Sequence, residues 1–306
     1  MVADKVMNRF SIKDLENLTG IKAHTIRIWE QRYGILQPKR TATNIRYYDA
    51  DDLKMALRVS LLNAFGYKIS RINKMTDEDM AGLIQKISDG SFRLQAIVNE
   101  LLEAALAMDT VRFEALLDAQ IKKRGLESTI EEICFLFLEK IGIMWMTNRL
   151  IPAQEHLASN VIYRKMAVAI EGLTPPAPDA ATILLFLPEG EIHEISLMYV
   201  QYLLRRAGHR VMYLGANTPL SEAATIYNAC RPDYVYLHLT SVADDFEGQR
   251  FFRQLAVALP GAEAFISGPV LSRGRYKAPE GMRFLYSLTE VRDAMLALSA
   301  PERKEA

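Results

Sequence analysis

At 306 residues, half of them apolar, the chain can build two or three hydrophobic cores and is too apolar for a disordered regulator. No apolar run reaches the ~18–20 residues needed to span a bilayer, and the N-terminus, Met1-Val2-Ala3-Asp4-Lys5, lacks the apolar stretch of a secretory signal, so a cytoplasmic location is expected. Charge sums to zero but is polarised: residues 1–75 hold 14 Lys/Arg against 7 Asp/Glu, and the remainder 23 against 30, which points to a polyanion at one end only.

Ser11 is a good cap for a first helix over 12–18, with Asp14 and Glu16 early, where the helix dipole favours acids. Thr19-Gly20-Ile21 breaks it, and a second helix is predicted over 23–32, giving a helix-turn-helix. Gly34 and Pro38 stop that helix. Residues 39–48 fit a short hairpin wing, followed by helices opening at Asp49 or Ala50 and at Ile69. Between residues 22 and 46, six basic side chains face Glu30 alone. By charge alone this is as readily a solvated basic face as a DNA contact. The spacing nevertheless places His24 and Thr25 at a helix start suited to the major groove, with Arg27 and Arg32 five apart to reach phosphates or base edges. Arg40, Arg46 and Tyr47 of the wing would hold flanking phosphates. Ile26, Ile28, Leu36 and Tyr48 read as core, and Trp29 as either core or DNA contact.

From residue 77 to 171 apolar residues recur at three- and four-residue spacing in segments 78–88, 91–108, 109–124, 127–147 and 153–171, which predicts an antiparallel helical bundle. Gly172-Leu173-Thr174-Pro175-Pro176-Ala177-Pro178-Asp179 is a stiff linker and the expected domain boundary. Beyond it, strands at 181–187, 210–214, 234–239, 264–267 and 284–286 alternate with helices at 194–207, 221–229, 247–258 and 288–298. That is the pattern of a doubly wound parallel α/β sheet, Rossmann/flavodoxin-like, with ligands expected beyond the C-terminal strand ends, at loops 188–193, 215–219, 240–245 and 267–270. The expected multidomain division is 1–76, 77–173 and 180–306.

The first of those loops runs Glu189-Gly190-Glu191-Ile192-His193-Glu194-Ile195-Ser196. A histidine at a strand end is commonly just solvated, but an acid two residues before it can fix its tautomer as metal-binding sites require. Glu189 and Glu194 argue against a simple anion site. Cys134 and Cys230 form no metal or redox spacing, and no nucleophile–base constellation indicates an enzyme.

The N-terminal residues resemble the MerR family of winged-helix regulators in Ser11-Ile12-Lys13-Asp14-Leu15, Thr19-Gly20-Ile21, Thr25 to Glu30, Gly34-Ile35-Leu36, Arg46-Tyr47-Tyr48 and Asp51-Asp52-Leu53. Glu191 and His193 resemble the acid-x-His loop of cobalamin-binding domains, with Ser196 where glycine is usual. Trp145, nine residues, then Glu155-His156 is similar to the cobalamin-dependent photoreceptor repressors of the CarH/LitR type, which share this domain order. The resemblance implies His193 as lower cobalt ligand, Glu191 as its hydrogen-bond partner, Trp145 and Glu155 around the upper adenosyl group, and His156 as the upper ligand after photolysis. It also implies that the cofactor's displaced tail is lined by Ser196, His238, Thr240, Ser267 and Gly268; there His238-Leu239-Thr240 and Ser267-Gly268 depart from the family's Ser-x-Leu and Gly-Gly. The implied cofactor is cobalamin, adenosylcobalamin first, and the implied partners are a double-stranded operator and further copies of the chain, as dimer or tetramer. The alternative is a regulator whose sheet domain takes no corrinoid and binds a protein partner such as an antirepressor, or another small molecule. A corrinoid carrier for methyl transfer is disfavoured by the winged helix.

Overall fold

The computed structural model describes residues 9–299 apart from 42, 88, 148 and 243–245. It forms two compact units, Met1–Ile162 and Tyr163–Ala306.

The first unit opens with α1 (Ile12–Thr19) and α2 (Ala23–Tyr33). Ser11 and Asp14 cap α1 reciprocally: the Asp14 N–H donates to the Ser11 hydroxyl at 3.2 Å, and the Ser11 N–H to the Asp14 carboxylate at 2.6 Å. Gly34, at φ 65°, ends α2 in the left-handed region. β1 (Lys39–Arg40) and β2 (Arg46–Tyr47) pair antiparallel as the wing, and Phe10 bridges to Tyr48. α3 (Ala50–Ala64) starts on a second reciprocal cap, Asp49 with Asp52, and α4 (Ile69–Ile72) follows. Phe10, Leu15, Ile26, Tyr48, Leu53 and Leu57 are fully buried beneath these elements.

The bundle comprises α5 (Asp77–Lys86), α6 (Gly90–Leu106), α7 (Thr110–Arg124), α8 (Leu126–Thr129), α9 (Phe135–Met146) and α10 (Pro152–Glu171). Met80 and Ile87 pack with Trp29, Val59, Leu62 and Ile72, so α5 shares a core with the winged helix. Between α8 and α9 lies one π turn, Ile130–Cys134, in which the Phe135 N–H donates to the Ile130 carbonyl, five residues back. Where periodicity predicts one uniform helix, the structure inserts this turn. Ionic contacts tie the winged helix to the bundle, among them Arg58 at 3.3 Å from Asp77. Arg149 Nε lies 2.7 Å from Asp14, and Glu103 gathers Lys54, Arg58 and Arg112 at 3.5–3.9 Å.

The division between units falls inside α10, whose buried Ala158, Val161, Ile162, Met166 and Ile170 keep helical spacing. The second unit is a parallel sheet of β3 (Thr182–Pro188), β4 (Arg210–Thr218), β5 (Tyr234–His238), β6 (Glu263–Ser267) and β7 (Met282–Leu285), in the order β4-β3-β5-β6-β7. That is the doubly wound flavodoxin order, whose strand direction of travel reverses beside β3. α11 (Glu194–Arg206) and α15 (Leu288–Leu296) bury Leu197, Val200, Leu204 and Val291 on one face. α12 (Leu220–Cys230) and α13 (Gly248–Ala258) bury Ala223, Phe252 and Leu255 on the other. β4 runs four residues past its expected end, through a register irregularity opposite Leu185 and Phe186. A short helix, α14 (Pro269–Arg273), was not expected from the sequence.

Candidate functional site

On α2, Ile26 and Trp29 point into the core, leaving His24, Arg27, Ile28, Gln31 and Arg32 exposed. Trp29, expected as either core or contact, is 7 % exposed and packs among apolar side chains. Ile28, expected in the core, is 48 % exposed. Thr25 is half-buried at the helix start. The tilt of α2 against the wing is set by Glu30, which accepts from the Tyr48 hydroxyl and sits 3.8 Å from Arg46. Burial, with Glu30 beside it, pushes the Tyr48 phenol up, so it stays protonated and donates. Arg40 donates to the Asn44 side chain at 2.9 Å, Lys39 pairs with Asp49, and Arg9 lies over the Tyr47 ring at 4.7 Å. Arg27, Arg40, Arg46 and Tyr47 thus lie in one small domain, with Arg46 partly engaged by Glu30.

In the bundle, Trp145 is 54 % exposed near the end of α9. Glu155 lies in the first turn of α10, and its Oε2 is 3.4 Å from Nε2 of exposed His156. Buried Gln154 pins this turn by donating to the Leu106 carbonyl at 3.0 Å.

At the carboxyl end of β3, Glu191 is only 1 % exposed. Its Oε1 accepts from the His193 N–H at 3.0 Å and lies 2.6 Å from His193 Nδ1. Its Oε2 accepts from the Thr240 and Ser241 N–H groups at 2.7 and 2.8 Å. Burial raises the carboxyl pKa, but the bonds from His193 and Ser241 outweigh it and hold Glu191 below its ordinary value. An ionised acceptor makes Nδ1 the proton-bearing ring nitrogen, so the neutral imidazole carries its lone pair on Nε2. The His193 side chain is about half exposed. The loop is braced from β4, where Asn217 donates its N–H to the Glu191 carbonyl and accepts the Gly190 N–H on its side chain. Asn217, which nothing in the local sequence singles out, adopts φ 53° to do so.

Beneath this loop, Ser267 Oγ lies 2.6 Å from the Tyr236 hydroxyl and 2.7 Å from His238 Nδ1. Tyr236 is fully buried, and Ser196 is half-buried on α11. Gly268 cannot be replaced, since its φ is 114° and a Cβ would lie 2.2 Å from the Leu239 carbonyl oxygen. Residues 243–245 of the expected 240–245 loop lie outside the described residues.

Burial pushes the His238 imidazole down to about 4. The unfolded chain takes up that proton near pH 6.5, whereas the folded chain refuses it until about pH 4. The stability it contributes is therefore complete above 6.5 and is lost as pH falls through that window. Urea unfolding should register up to about 3 kcal/mol of such loss. His238→Gln, which keeps a hydrogen-bonding side chain without the titration, should lack this component.

Residues 10–79 match the MerR HTH family of regulatory proteins, and residues 97–170, spanning α6 to α10, match the B12 binding domain. The chain is 29% identical over 268 residues to the HTH-type transcriptional repressor CarH of Myxococcus xanthus, covering 85% of this chain and 88% of CarH. It is 30% identical over 235 residues to the repressor CarA of the same organism, covering 74% of this chain and 75% of CarA. The monomethylamine corrinoid protein of Methanosarcina barkeri shares the fold, with a TM-score of 0.52 at 14% identity, over 66% of this chain and 98% of that one. Among the described residues no helix is long and apolar enough to cross a membrane. With both domains in this order, and with this identity across most of CarA, the chain belongs to the family of MerR-type transcriptional repressors that carry a B12 binding domain, which are regulators and not enzymes.

Proposed function

We propose that the chain is an operator-binding repressor whose grip on DNA is set by bound cobalamin, adenosylcobalamin first, with light as the signal. The observation that carries this reading is the Glu191–His193 pair. An imidazole oriented by a buried carboxylate suits a transition metal of cobalt's class. Thr240 Oγ1 adds support: it is buried without a hydrogen-bond partner on the residue whose N–H binds Glu191, a polar atom that a bound group would satisfy. These residues fit the ligating end of the cofactor.

In this proposal His193 would hold the cobalt and Glu191 would fix its ring. Trp145 and Glu155 would serve the adenosyl group, and His156 would be the ligand that takes its place after photolysis. When bound, an alkylcobalamin supplies a cobalt–carbon bond that light cleaves. The chain's part is to prefer one arrangement of the bundle before that event and another after it, since only a differential preference moves DNA affinity. The proposal includes self-association as dimer or tetramer, because one winged helix buries too little surface for selective binding.

The test is reconstitution with adenosylcobalamin in darkness, followed by an absorption spectrum and gel shifts before and after illumination. The expected result is a corrinoid spectrum that co-elutes with protein, and operator bound in the dark and released by light. Protein free of corrinoid, or identical shifts in both conditions, would sink the light-sensing reading. One observation favours a second reading. The hydrogen-bonded set of Tyr236, Ser267 and His238 fills the sheet face where the tail is expected, as in a domain that binds a protein antirepressor or another small molecule. Under it His193→Ala would leave operator binding and its control unchanged.

For the reading head, Arg27→Ala is expected to weaken binding to every duplex sequence. It should also lower the slope of log affinity against log salt by about one, as loss of one phosphate contact requires. An unchanged slope in a salt titration would remove Arg27 from the backbone contacts.

A further inference from the structure

We infer that the outward stripe of α2 reads two neighbouring A·T pairs, with Ile28 against a thymine methyl and Gln31 on an adenine edge; this rests on the operator-binding reading above. Burial of Ile26 and Trp29 fixes which side of α2 faces out. The exposed positions His24, Arg27, Ile28 and Gln31 then follow the i, i+3, i+4, i+7 spacing of a single helical face. Ile28 stands in the middle of that face, 48 % exposed among cationic and polar neighbours.

An aliphatic side chain can make no bond to a phosphate, and the apolar group displayed in a major groove is the C5-methyl of thymine. Gln31 offers an acceptor and a donor on one amide, which match the N6 donor and N7 acceptor of adenine. Three residues of helix rise about 4.5 Å, close to the ~3.4 Å between successive bases of a strand. The two side chains therefore suit adjacent pairs. Glu30, tied to Tyr48 and Arg46, holds the helix at a fixed roll against the wing, which a direct reader needs.

The experiment is selection from a randomised duplex pool by the full-length protein, with adenosylcobalamin in darkness and in parallel without it. The selected half-site is then remade with uracil for thymine, which removes only the methyl. Wild type should select adjacent A·T pairs, and the uracil duplex should bind it about fourfold more weakly, the worth of one buried methyl. Ile28→Ala should bind thymine and uracil duplexes alike. Gln31→Ala should lose about tenfold on the selected site and become indifferent at one neighbouring position. Both variants should keep salt-dependent binding to random duplex, which shows that they are folded. Selection of sites without the A·T pairs, equal uracil effects in wild type and Ile28→Ala, or unchanged selectivity in either variant would overturn the assignment. Wild type that retains no duplex at all would instead remove the operator-binding reading, and this assignment with it.

Discussion

Replacing His193 with alanine is expected to abolish retention of cobalamin through a desalting column, and Glu191→Gln to weaken it by about 10- to 100-fold. The first change deletes the proposed ligand and one ring N–H bond to Glu191, whose carboxylate keeps the backbone N–H bonds of His193, Thr240 and Ser241. The second acts through the ring's orientation. Glu191 receives two bonds from His193 and one each from the Thr240 and Ser241 N–H groups. An amide of the same size has one acceptor oxygen, and its NH2 must point at donors, so at least one buried N–H loses its partner. That costs about 1–3 kcal/mol of stability, measurable by urea unfolding. Because the Glu191 carboxyl is held below its ordinary value, its contribution is present above that value and is lost as pH falls through the lowered one. His193→Ala that retains cobalamin as wild type does would place the cobalt elsewhere.

The second large effect is expected at Arg149. Arg149→Ala strands the carboxylate of Asp14, 4 % exposed, leaving the Ser11 N–H and the positive end of α1 to offset its charge. Removal of one partner from a fully buried pair costs about 3–5 kcal/mol, and Arg149 remains about a third exposed, so about 2 kcal/mol is the expected loss. The functional consequence reaches further. Asp14 lies in the first turn of α1, while Arg149 lies between the helix bearing Trp145 and the helix bearing Glu155 and His156. One ion pair thus joins the proposed sensor to the reading head within a single compact unit. Asp14→Asn combined with Arg149→Met removes the pair without orphaning a charge. The expected result is operator affinity close to wild type with a much smaller ratio between dark and illuminated gel shifts. A double variant that responds as wild type would show that the coupling runs through other contacts, the cluster around Glu103 first.

The reading head was legible because its signals are local. Ser11 and Asp49 each carry an acid three residues on, and Gly34 stops α2 directly after Tyr33. Ile28 was misread because apolar character alone does not tell which side of a short helix faces in; Ile26 and Trp29 decide that through contacts distant in sequence. β4 was expected to end at Leu214 and a loop to run over 215–219, yet pairing with β3 carries the strand to Thr218, with Gly215 and Asn217 at positive φ within it. Glu191 and His193 lie two residues apart and could be paired by spacing. The backbone donors that hold Glu191 come from about fifty residues away, and no local pattern reports them.

The π turn at Ile130–Cys134 amounts to one surplus residue in an otherwise α-helical run. Shortening the chain by one residue there would restore ordinary pairing and swing everything beyond it by about 100° around the axis. The indole of Trp145 would roll off its solvent-facing side, and the guanidinium of Arg149 would be carried away from α1. The direction in which Trp145 faces is therefore governed by residue number rather than residue type, and an evolving lineage could re-aim it by a single codon gained or lost.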